Sequence, residues 1–227
     1  MLFGSFEESY NYAPRLLQKI AMTYPRTQWA MEDEPIKLED GSYSNIDRYL
    51  IRFFWSFAQC IEVFRHCKLV VCVDATFHSG KYHGNLMTMM VVEADNQIIP
   101  LAFAMVESEK NDRWLWFLTL VRTRVTSNRG RVYIISDHNK GLLYALDVLH
   151  DSTNYFIAWH DVERRWCMRH LGANLYTRYH NKGLVKRFKG LCLQNQHAKF
   201  NEIWRELNET TRKMMTEQEA QEDHLWM

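Results

Sequence analysis

Two short apolar runs, each followed by an aspartate, stand in the middle of this 227-residue chain. They read Leu69-Val70-Val71-Cys72-Val73-Asp74 and Val132-Tyr133-Ile134-Ile135-Ser136-Asp137. Continuous apolar runs rich in β-branched residues are typical of strands buried on both faces of a sheet. A carboxylate at the end of such a strand is costly to desolvate unless it is hydrogen-bonded or binds a metal. The repeated pattern points to a paired site, although it also fits two aspartates that merely cap the turns after their strands.

The sequence between the two runs predicts a hairpin and then a helix. Residues 86–92 and 98–106 are strand-like, and Asp95-Asn96-Gln97 between them is typical of a hairpin loop. Apolar residues then recur at helical spacing, with Asn111 or Asp112 placed to cap the helix. These apolar residues are Trp114, Phe117, Leu118, Val121 and Val125.

A second helix, at residues 140–149, follows the second run. The order of strand, hairpin, helix, strand and helix predicts a mixed α/β sheet flanked by helices. Because a strand that follows a crossover helix usually lies parallel to one already present, the two runs can be neighbours. Asp74 and Asp137 would then meet at the carboxyl edge, where open α/β sheets place their sites.

The remaining segments are predicted to be mostly helical. Residues 1–66 are interpreted as a helical lead-in, with a short helix at 15–22 and a second one over 45–64. The apolar positions that predict this second helix are Ile46, Leu50, Phe53, Phe54, Phe57, Ile61 and Phe64. The core domain is expected at 67–160, and a basic helical insertion or extension at 161–227.

The composition is that of an ordinary folded domain. Hydrophobic residues make up 47% of the chain and aromatic residues 14%, which is enough to build a substantial core. The five cysteines form no regular disulfide framework and no apolar leader precedes them, so we expect a reducing, intracellular compartment. No apolar run approaches the roughly 18–20 residues of a membrane-spanning helix, so we expect no membrane association.

The charge is unevenly distributed. Residues 164–200 contain nine Lys or Arg and no acid, in a chain whose net charge is only +1. Such a band, interleaved here with aromatic residues, suggests a surface that binds the phosphates of nucleic acid; a solvated helical face is the alternative. The cations that we assign to DNA binding are Arg164, Arg165, Arg169, Lys182, Lys186, Arg187 and Lys189.

A metal would explain the two aspartates chemically. Two carboxylates that converge at one edge repel each other unless a hard divalent cation lies between them, and Mg²⁺ or Mn²⁺ suits oxygen ligands. Paired oxygen-ligated ions can activate a water or a 3′-hydroxyl and stabilise the leaving oxygen during phosphodiester cleavage. Asp74 and Asp137 are therefore candidate catalytic metal ligands.

Six sequence blocks, in order, resemble the catalytic domain of Mutator-like element (MULE) transposases. They are Val73-Asp74-Ala75-Thr76-Phe77; Gly80-Lys81-Tyr82-His83-Gly84; Pro100-Leu101-Ala102-Phe103-Ala104; Glu107-Ser108-Glu109 with Trp114-Leu115-Trp116-Phe117; Ile135-Ser136-Asp137 with Lys140-Gly141; and Cys167-Met168-Arg169-His170-Leu171 with Asn174. The resemblance runs from about Phe64 to Trp204, and six blocks in order are far more specific than any single one.

The resemblance implies a ribonuclease H-like fold and a DDE-type enzyme that cuts DNA at element ends and joins it to a target with a divalent metal. Asp74 and Asp137 would be its first two metal ligands, and Cys167 and His170 would form the family's Cys-x-x-His motif. DNA as the partner, a nuclear location and a homo-oligomer of the intact transposase follow from the same resemblance.

The chain also departs from the family pattern. His138 follows the second aspartate where the family usually has Arg, and the segment 155–163 is longer than usual. Asn208-Glu209 does not reproduce the family's Asn-x-x-Glu pattern, and its neighbours Glu202 and Glu206 lie on an ordinary helix. We therefore expect a fragment truncated before the third catalytic Glu, one that binds DNA with little or no cleavage.

Three alternatives stay open. One is a domesticated, DNA-binding transcription regulator without catalysis, as in the far-red-impaired-response family of plants. Another is a structural zinc site with four ligands, Cys167, His170, Cys192 and His197. The third is a metal-dependent nuclease unrelated to transposition.

Overall fold

The computed structural model describes residues 6–79, 83–93, 95–126 and 129–224, in two compact units that meet between Arg165 and Trp166. Gly80, Lys81 and Tyr82 of the second family-like block lie outside the described residues. The elements of the first unit are α1 (Phe6–Thr23), β1 (Gln28–Lys37), β2 (Tyr43–Ser56), α2 (Ala58–Phe64), β3 (Val70–His78), β4 (Gly84–Val92), β5 (Ile98–Val106), α3 (Asn111–Leu120), a π-helical turn (Val121–Val125), β6 (Val132–Ser136), α4 (Lys140–His150) and β7 (Val162–Trp166). The second unit contains α5 (Met168–Tyr179), α6 (Lys182–Cys192) and α7 (His197–His224).

One seven-stranded mixed sheet organises the first unit, in the order β1-β2-β5-β4-β3-β6-β7. β4 pairs antiparallel with both β3 and β5, while β6 pairs parallel with β3 through Val70↔Tyr133, Val71↔Ile134 and Cys72↔Ile135. The predicted mixed sheet, its hairpin and its parallel neighbour are thus confirmed. Because β3 and β5 are both antiparallel to β4, they run in the same direction, and β6 runs parallel to β3. The carboxyl ends of β3, β5 and β6 therefore lie at the same edge of the sheet.

The helix predicted over 45–64 is wrong for most of its length. Residues Tyr43–Ser56 form a strand, β2, which pairs antiparallel with β1 and with β5, and only Ala58–Phe64 is helical. The end of β2 is a run of aromatic and branched residues that favours a strand once partners exist on both sides. Phe54 is fully buried, while Trp55 on the opposite face stacks on Phe103 with 5.0 Å between ring centroids. Residues 1–66 therefore contribute two strands to the sheet.

The core of the first unit lies between the sheet and the helices α3 and α4. Val71, Ile134 and Met87 are fully buried strand residues of this cluster, and Phe117 and Leu142 are fully buried helical ones. Burying such side chains contributes roughly 1.5–3 kcal/mol each relative to exposure, which fixes the two helices against the strands. The starts of α3 and α4 are thereby held at one end of the sheet.

The start of α3 differs from the expected one. Lys110 is the N-cap residue and no side chain caps the helix, so Asn111 and Asp112 lie in the first turn instead. From there the negative charge of Asp112 still interacts favourably with the positive N-terminal end of the helix dipole. The start of α4 has a conventional cap, because the side chain of Asn139 accepts hydrogen bonds from the backbone N–H groups of Gly141 and Leu142.

The second unit has a small core of its own. Leu184, Leu191 and Leu207 are buried in it, so α6 and α7 pack their apolar faces together. The side chain of Asn181 caps α6 by accepting a hydrogen bond from the backbone N–H of Leu184 at 3.0 Å. Among the helices in the described residues of both units, none combines the length and apolar character needed to cross a membrane.

Gly141 permits the close packing of α4 on α3. A Cβ at this position would lie 2.8 Å from Cδ1 of the buried Trp114 and 3.3 Å from the backbone carbon of Lys110. Because neither atom belongs to a flexible side-chain end, we expect Gly141→Ala to lower the free energy of unfolding by about 1–3 kcal/mol. Urea denaturation measures this change. Gly190→Ala is the control: its Cβ would meet nothing within 4 Å, so the better helix propensity of Ala should add about 0.5–1 kcal/mol. A Gly141→Ala protein as stable as the unmodified one would contradict this packing argument.

Candidate functional site

Asp74 and Asp137 occupy corresponding places on two neighbouring parallel strands. Each lies two residues beyond the last parallel pair, Cys72↔Ile135. Because side chains alternate along a strand, Asp74 falls on the sheet face that carries Cys72, while Asp137 follows directly after the last residue of β6. β3 does not end at Asp74, as the apolar run suggested, but continues to His78.

Each aspartate also accepts a local backbone hydrogen bond. The N–H of Ala75 donates to Asp74 Oδ1 at 3.1 Å, and the N–H of Asn139 donates to Asp137 Oδ1 at 3.1 Å. The turn-capping interpretation therefore holds for Asp137, which precedes the turn before α4, but not for Asp74, which lies inside β3. It does not account for the other charged groups at the same edge.

Glu109 is the acid that the sequence analysis missed. It follows β5, and its two carboxylate oxygens accept hydrogen bonds from the side-chain amides of Asn85 at 3.2 Å and Asn139 at 2.7 Å. Burial raises the pKa of Glu109, the negative charges of Asp137 and Asp74 raise it further, and the two amide hydrogen bonds oppose the shift. Glu109 thus lies within electrostatic reach of both aspartates.

The signal for Glu109 was present in the sequence. The apolar run at residues 98–106 ends at Glu107-Ser108-Glu109, which repeats the pattern of a buried strand followed by an acid. Since β5 runs in the same direction as β3 and β6, its acids belong at the same edge as Asp74 and Asp137. Applying the rule to every strand, rather than to the two aspartates alone, would have found it.

The donor chemistry of this edge fits a divalent cation. Carboxylate oxygens are hard ligands, and Mg²⁺ is commonly bound by one or two of them, with water and substrate phosphate oxygens as the other ligands. Burial is the main cause of the upward shift in the pKa of Glu109, and the charges of Asp137 and Asp74 add a repulsion that a cation would relieve. Over the part of the chain that the structure describes, no three His, Cys, Asp or Glu side chains are arranged as ligands of one ion. The fit is therefore to a pair of carboxylates, and not to a complete protein cage.

An open cavity of about 600 Å³ lies beside Glu109, lined by residues 109–112 and 139–141. It contains the first turns of α3 and α4, whose N–H groups favour anions. Lys110 and Lys140 add positive charge to the lining. The cavity therefore combines an acidic wall at Glu109 with groups that attract phosphate.

The basic residues fall into two groups in the structure. Arg164 and Arg165 belong to the first unit, where Arg164 pairs with Asp147 at 2.9 Å and the guanidinium of Arg165 lies 5.2 Å from the Tyr133 ring centroid.

In the second unit, Lys182, Lys186 and Lys189 are exposed in a row along α6, which we call the lysine row. The row lies on the opposite side of the helix from the buried Leu184 and Leu191. No ion pair within the described residues involves these three lysines, whereas Arg187 lies 3.6 Å from Glu206.

The Cys-x-x-His residues lie at the start of α5. Cys167 is its N-cap residue, and His170 Nε2 lies 2.5 Å from the guanidinium of Arg169. The structure does not gather Cys167, His170, Cys192 and His197 into a four-ligand zinc site, since the described residues contain no such group.

These observations define a mixed α/β domain that gathers acidic side chains at the carboxyl edge of its central strands. Residues 70–174 match the family model for the MULE transposase domain. The resemblance to this family that the sequence blocks predict is thus confirmed over these residues. The match spans β3 to the middle of α5 and includes Asp74, Glu109 and Asp137. No curated protein matches the chain.

The raised pKa of Glu109 predicts a pH-dependent effect on stability. Folding raises the pKa of Glu109. Such an acid destabilises the folded protein as the pH rises through the raised pKa, and it has no effect on stability at a pH well below its pKa in the unfolded chain. We therefore expect Glu109→Gln to raise the free energy of unfolding at pH 7 in metal-free buffer. The gain should shrink as the pH is lowered through the ordinary value of 4.5.

Urea denaturation between pH 7 and pH 4 measures this gain. Asp40→Asn is a control of opposite sign, because hydrogen bonds from Ser42 lower the pKa of Asp40 and so stabilise its charged form. A Glu109→Gln gain that does not change with pH would rule out charge repulsion as its cause.

Proposed function

We propose that this chain contains the catalytic domain of a Mutator-like DNA transposase, in which Asp74 and Asp137 bind Mg²⁺ or Mn²⁺. The activity is phosphodiester cleavage and strand transfer on DNA. One observation carries the proposal: the MULE match covers a sheet in which β3, β5 and β6 run the same way and bring acids to one edge. A nuclear location and a homo-oligomer of the intact transposase belong to the same proposal.

A ribonuclease H-like fold is part of this proposal. The three antiparallel strands β3, β4 and β5 and the parallel return of β6 beside β3 support it. Asp74 lies on β3 and Asp137 directly after the neighbouring strand β6, and α3 provides the crossover between β5 and β6.

The residues of the proposed site have different roles. Asp74 and Asp137 would hold the cation, which supplies Lewis-acid activation of the attacking and leaving oxygens when bound. Glu109 adds negative charge beside them and is held in place by Asn85 and Asn139. The cavity lined by Lys110 and Lys140 is suited to the DNA phosphates next to the bond that is cut.

Substitution of the two aspartates tests the proposed catalysis. We expect Asp74→Asn and Asp137→Asn each to lower Mg²⁺- or Mn²⁺-dependent nicking of supercoiled plasmid by the intact transposase by about 100-fold or more, because each removes a charged metal ligand. Asp95→Asn is the matched control, since Asp95 lies in the β4–β5 turn at the other edge of the sheet. Nicking that survives both substitutions would refute the assignment. Metal-independent DNA binding with no nicking by the unmodified protein would favour the regulator.

The lysine row supports the proposed DNA binding. Three exposed lysines on one helical face present a line of positive charge. The first turn of α6 contains no acidic residue that would neutralise it. Contacts of this kind release counterions from DNA, so affinity falls steeply with salt. The remaining proposed DNA contacts are Arg164, Arg165, Arg169 and Arg187.

Removal of the lysine row should flatten the salt dependence of DNA binding. For Lys182, Lys186 and Lys189 all changed to Gln, we expect the slope of log affinity against log salt to fall by about three, one for each lost phosphate contact. Fluorescence anisotropy with a duplex at several salt concentrations measures it. Lys19, Lys37 and Lys68 changed to Gln together are the control, since they are exposed and the net charge changes equally. Equal slopes for the two triple variants would place the DNA contact elsewhere.

A further inference from the structure

Asn139 makes an unusual set of contacts at the acidic edge. It lies between β6 and α4, and its backbone N–H donates to Asp137 Oδ1 at 3.1 Å. Its side-chain oxygen accepts hydrogen bonds from the backbone N–H groups of Gly141 at 2.9 Å and Leu142 at 3.1 Å. Its side-chain nitrogen donates to Glu109 Oε2 at 2.7 Å. One residue thus connects the α4 cap, the second aspartate and the acid that follows β5.

The chemistry of the amide explains why this residue can make all these contacts. An asparagine side chain carries an acceptor and two donors on one short, planar group. The acceptor alone is sufficient for the cap, and serine caps helices about as well. The bond to Glu109 needs the donor on the other side of the amide. Helix capping by itself therefore does not require the donor that reaches Glu109.

The surroundings hold Asn139 in this orientation. A Cβ on Gly141 would lie 3.2 Å from Asn139 Oδ1, so the cap is packed tightly against the first turn of α4. Trp114 of α3 is buried against the same glycine. Oδ1 and Nδ2 belong to one planar amide group. Because the packing fixes Oδ1 in the cap, it also fixes the side-chain rotamer in which Nδ2 points at Glu109.

We propose that Asn139 is a positioning residue of the cation site, which ties the carboxylate of Glu109 to the turn that carries Asp137. The inference rests on the proposed function, since it assumes that a divalent cation binds at this edge. Residues that orient metal ligands through hydrogen bonds typically lower metal affinity by about 10–100-fold when they are substituted. Asn139 acts in this way through hydrogen bonds, and does not contact the cation itself.

Mn²⁺ binding to the purified chain tests the inference. The free ion is followed by electron paramagnetic resonance during a titration, and urea denaturation of each variant reports whether the fold is kept. We expect Asn139→Ser to retain a urea midpoint close to that of the unmodified protein, because serine still caps α4, while Mn²⁺ affinity falls by about 10-fold or more. Asn181→Ser is the matched control at the cap of α6 and should leave the affinity unchanged.

A double-substitution cycle with Glu109→Ala, which removes the acceptor of the Asn139 amide, separates positioning from a general structural effect. If Asn139 acts through Glu109, the double variant should bind Mn²⁺ about as weakly as the weaker single variant. Fully additive losses, or an unchanged affinity for Asn139→Ser, would overturn the inference. Should Asn139→Ser fail to fold, Glu109→Ala leaves the α4 cap intact and removes the carboxylate that accepts from Asn139; an unchanged affinity there would also overturn the inference.

The same titration distinguishes this inference from the proposed function. Asp74→Asn and Asp137→Asn should each weaken Mn²⁺ binding. If neither does, the cation site itself is refuted. If both do while Asn139→Ser binds as the unmodified protein does, the site stands and only the role of Asn139 is lost.

Discussion

The parallel pairing of β6 with β3 determines what this domain can do. The ladder from Val70↔Tyr133 to Cys72↔Ile135 fixes both the direction and the register of the two strands. With an antiparallel β6, Asp137 would lie at the opposite edge of the sheet from Asp74. A parallel neighbour requires a long crossover, which α3 and the π-helical turn provide. The buried helices α3 and α4 therefore serve the site indirectly, because their packing keeps β6 beside β3 and sets where the turn after it begins.

Bringing acids together at one edge has an electrostatic cost, and the structure offsets part of it. Burial and the charges of Asp137 and Asp74 disfavour the ionised form of Glu109, while the amides of Asn85 and Asn139 favour it. The backbone N–H groups of Ala75 and Asn139 donate hydrogen bonds to Oδ1 of Asp74 and of Asp137. Neutral donors can orient carboxylates without cancelling their charge. The arrangement is thus preorganised but still electrostatically unfavourable, and in the proposed function a divalent cation would relieve that repulsion.

Local patterns in the sequence predicted the centre of the sheet but not its margins. β3, β4, β5 and β6 each consist of an apolar run, and the loop chemistry between β4 and β5 gave their pairing. β2 was predicted as a helix because its apolar spacing also fits one, and only the pairing with β1 and β5 decides between the two structures. Glu109 was missed for a related reason. The family pattern directed attention to acids further along the chain, whereas the strand directions place the acid after β5 beside Asp74 and Asp137.

Charge acts at two different ranges in the proposed function. The lysine row attracts a phosphate backbone over roughly a Debye length, about 8–10 Å at physiological salt, and needs no cation to do so. The acids repel the same backbone until a divalent ion reverses the local charge. In the proposed function the lysine row and the carboxylates therefore have different roles, and they lie in units with separate cores. A relative that lost one carboxylate would keep its fold and its lysine row, so a DNA-binding regulator can arise from such a domain by the loss of very few residues.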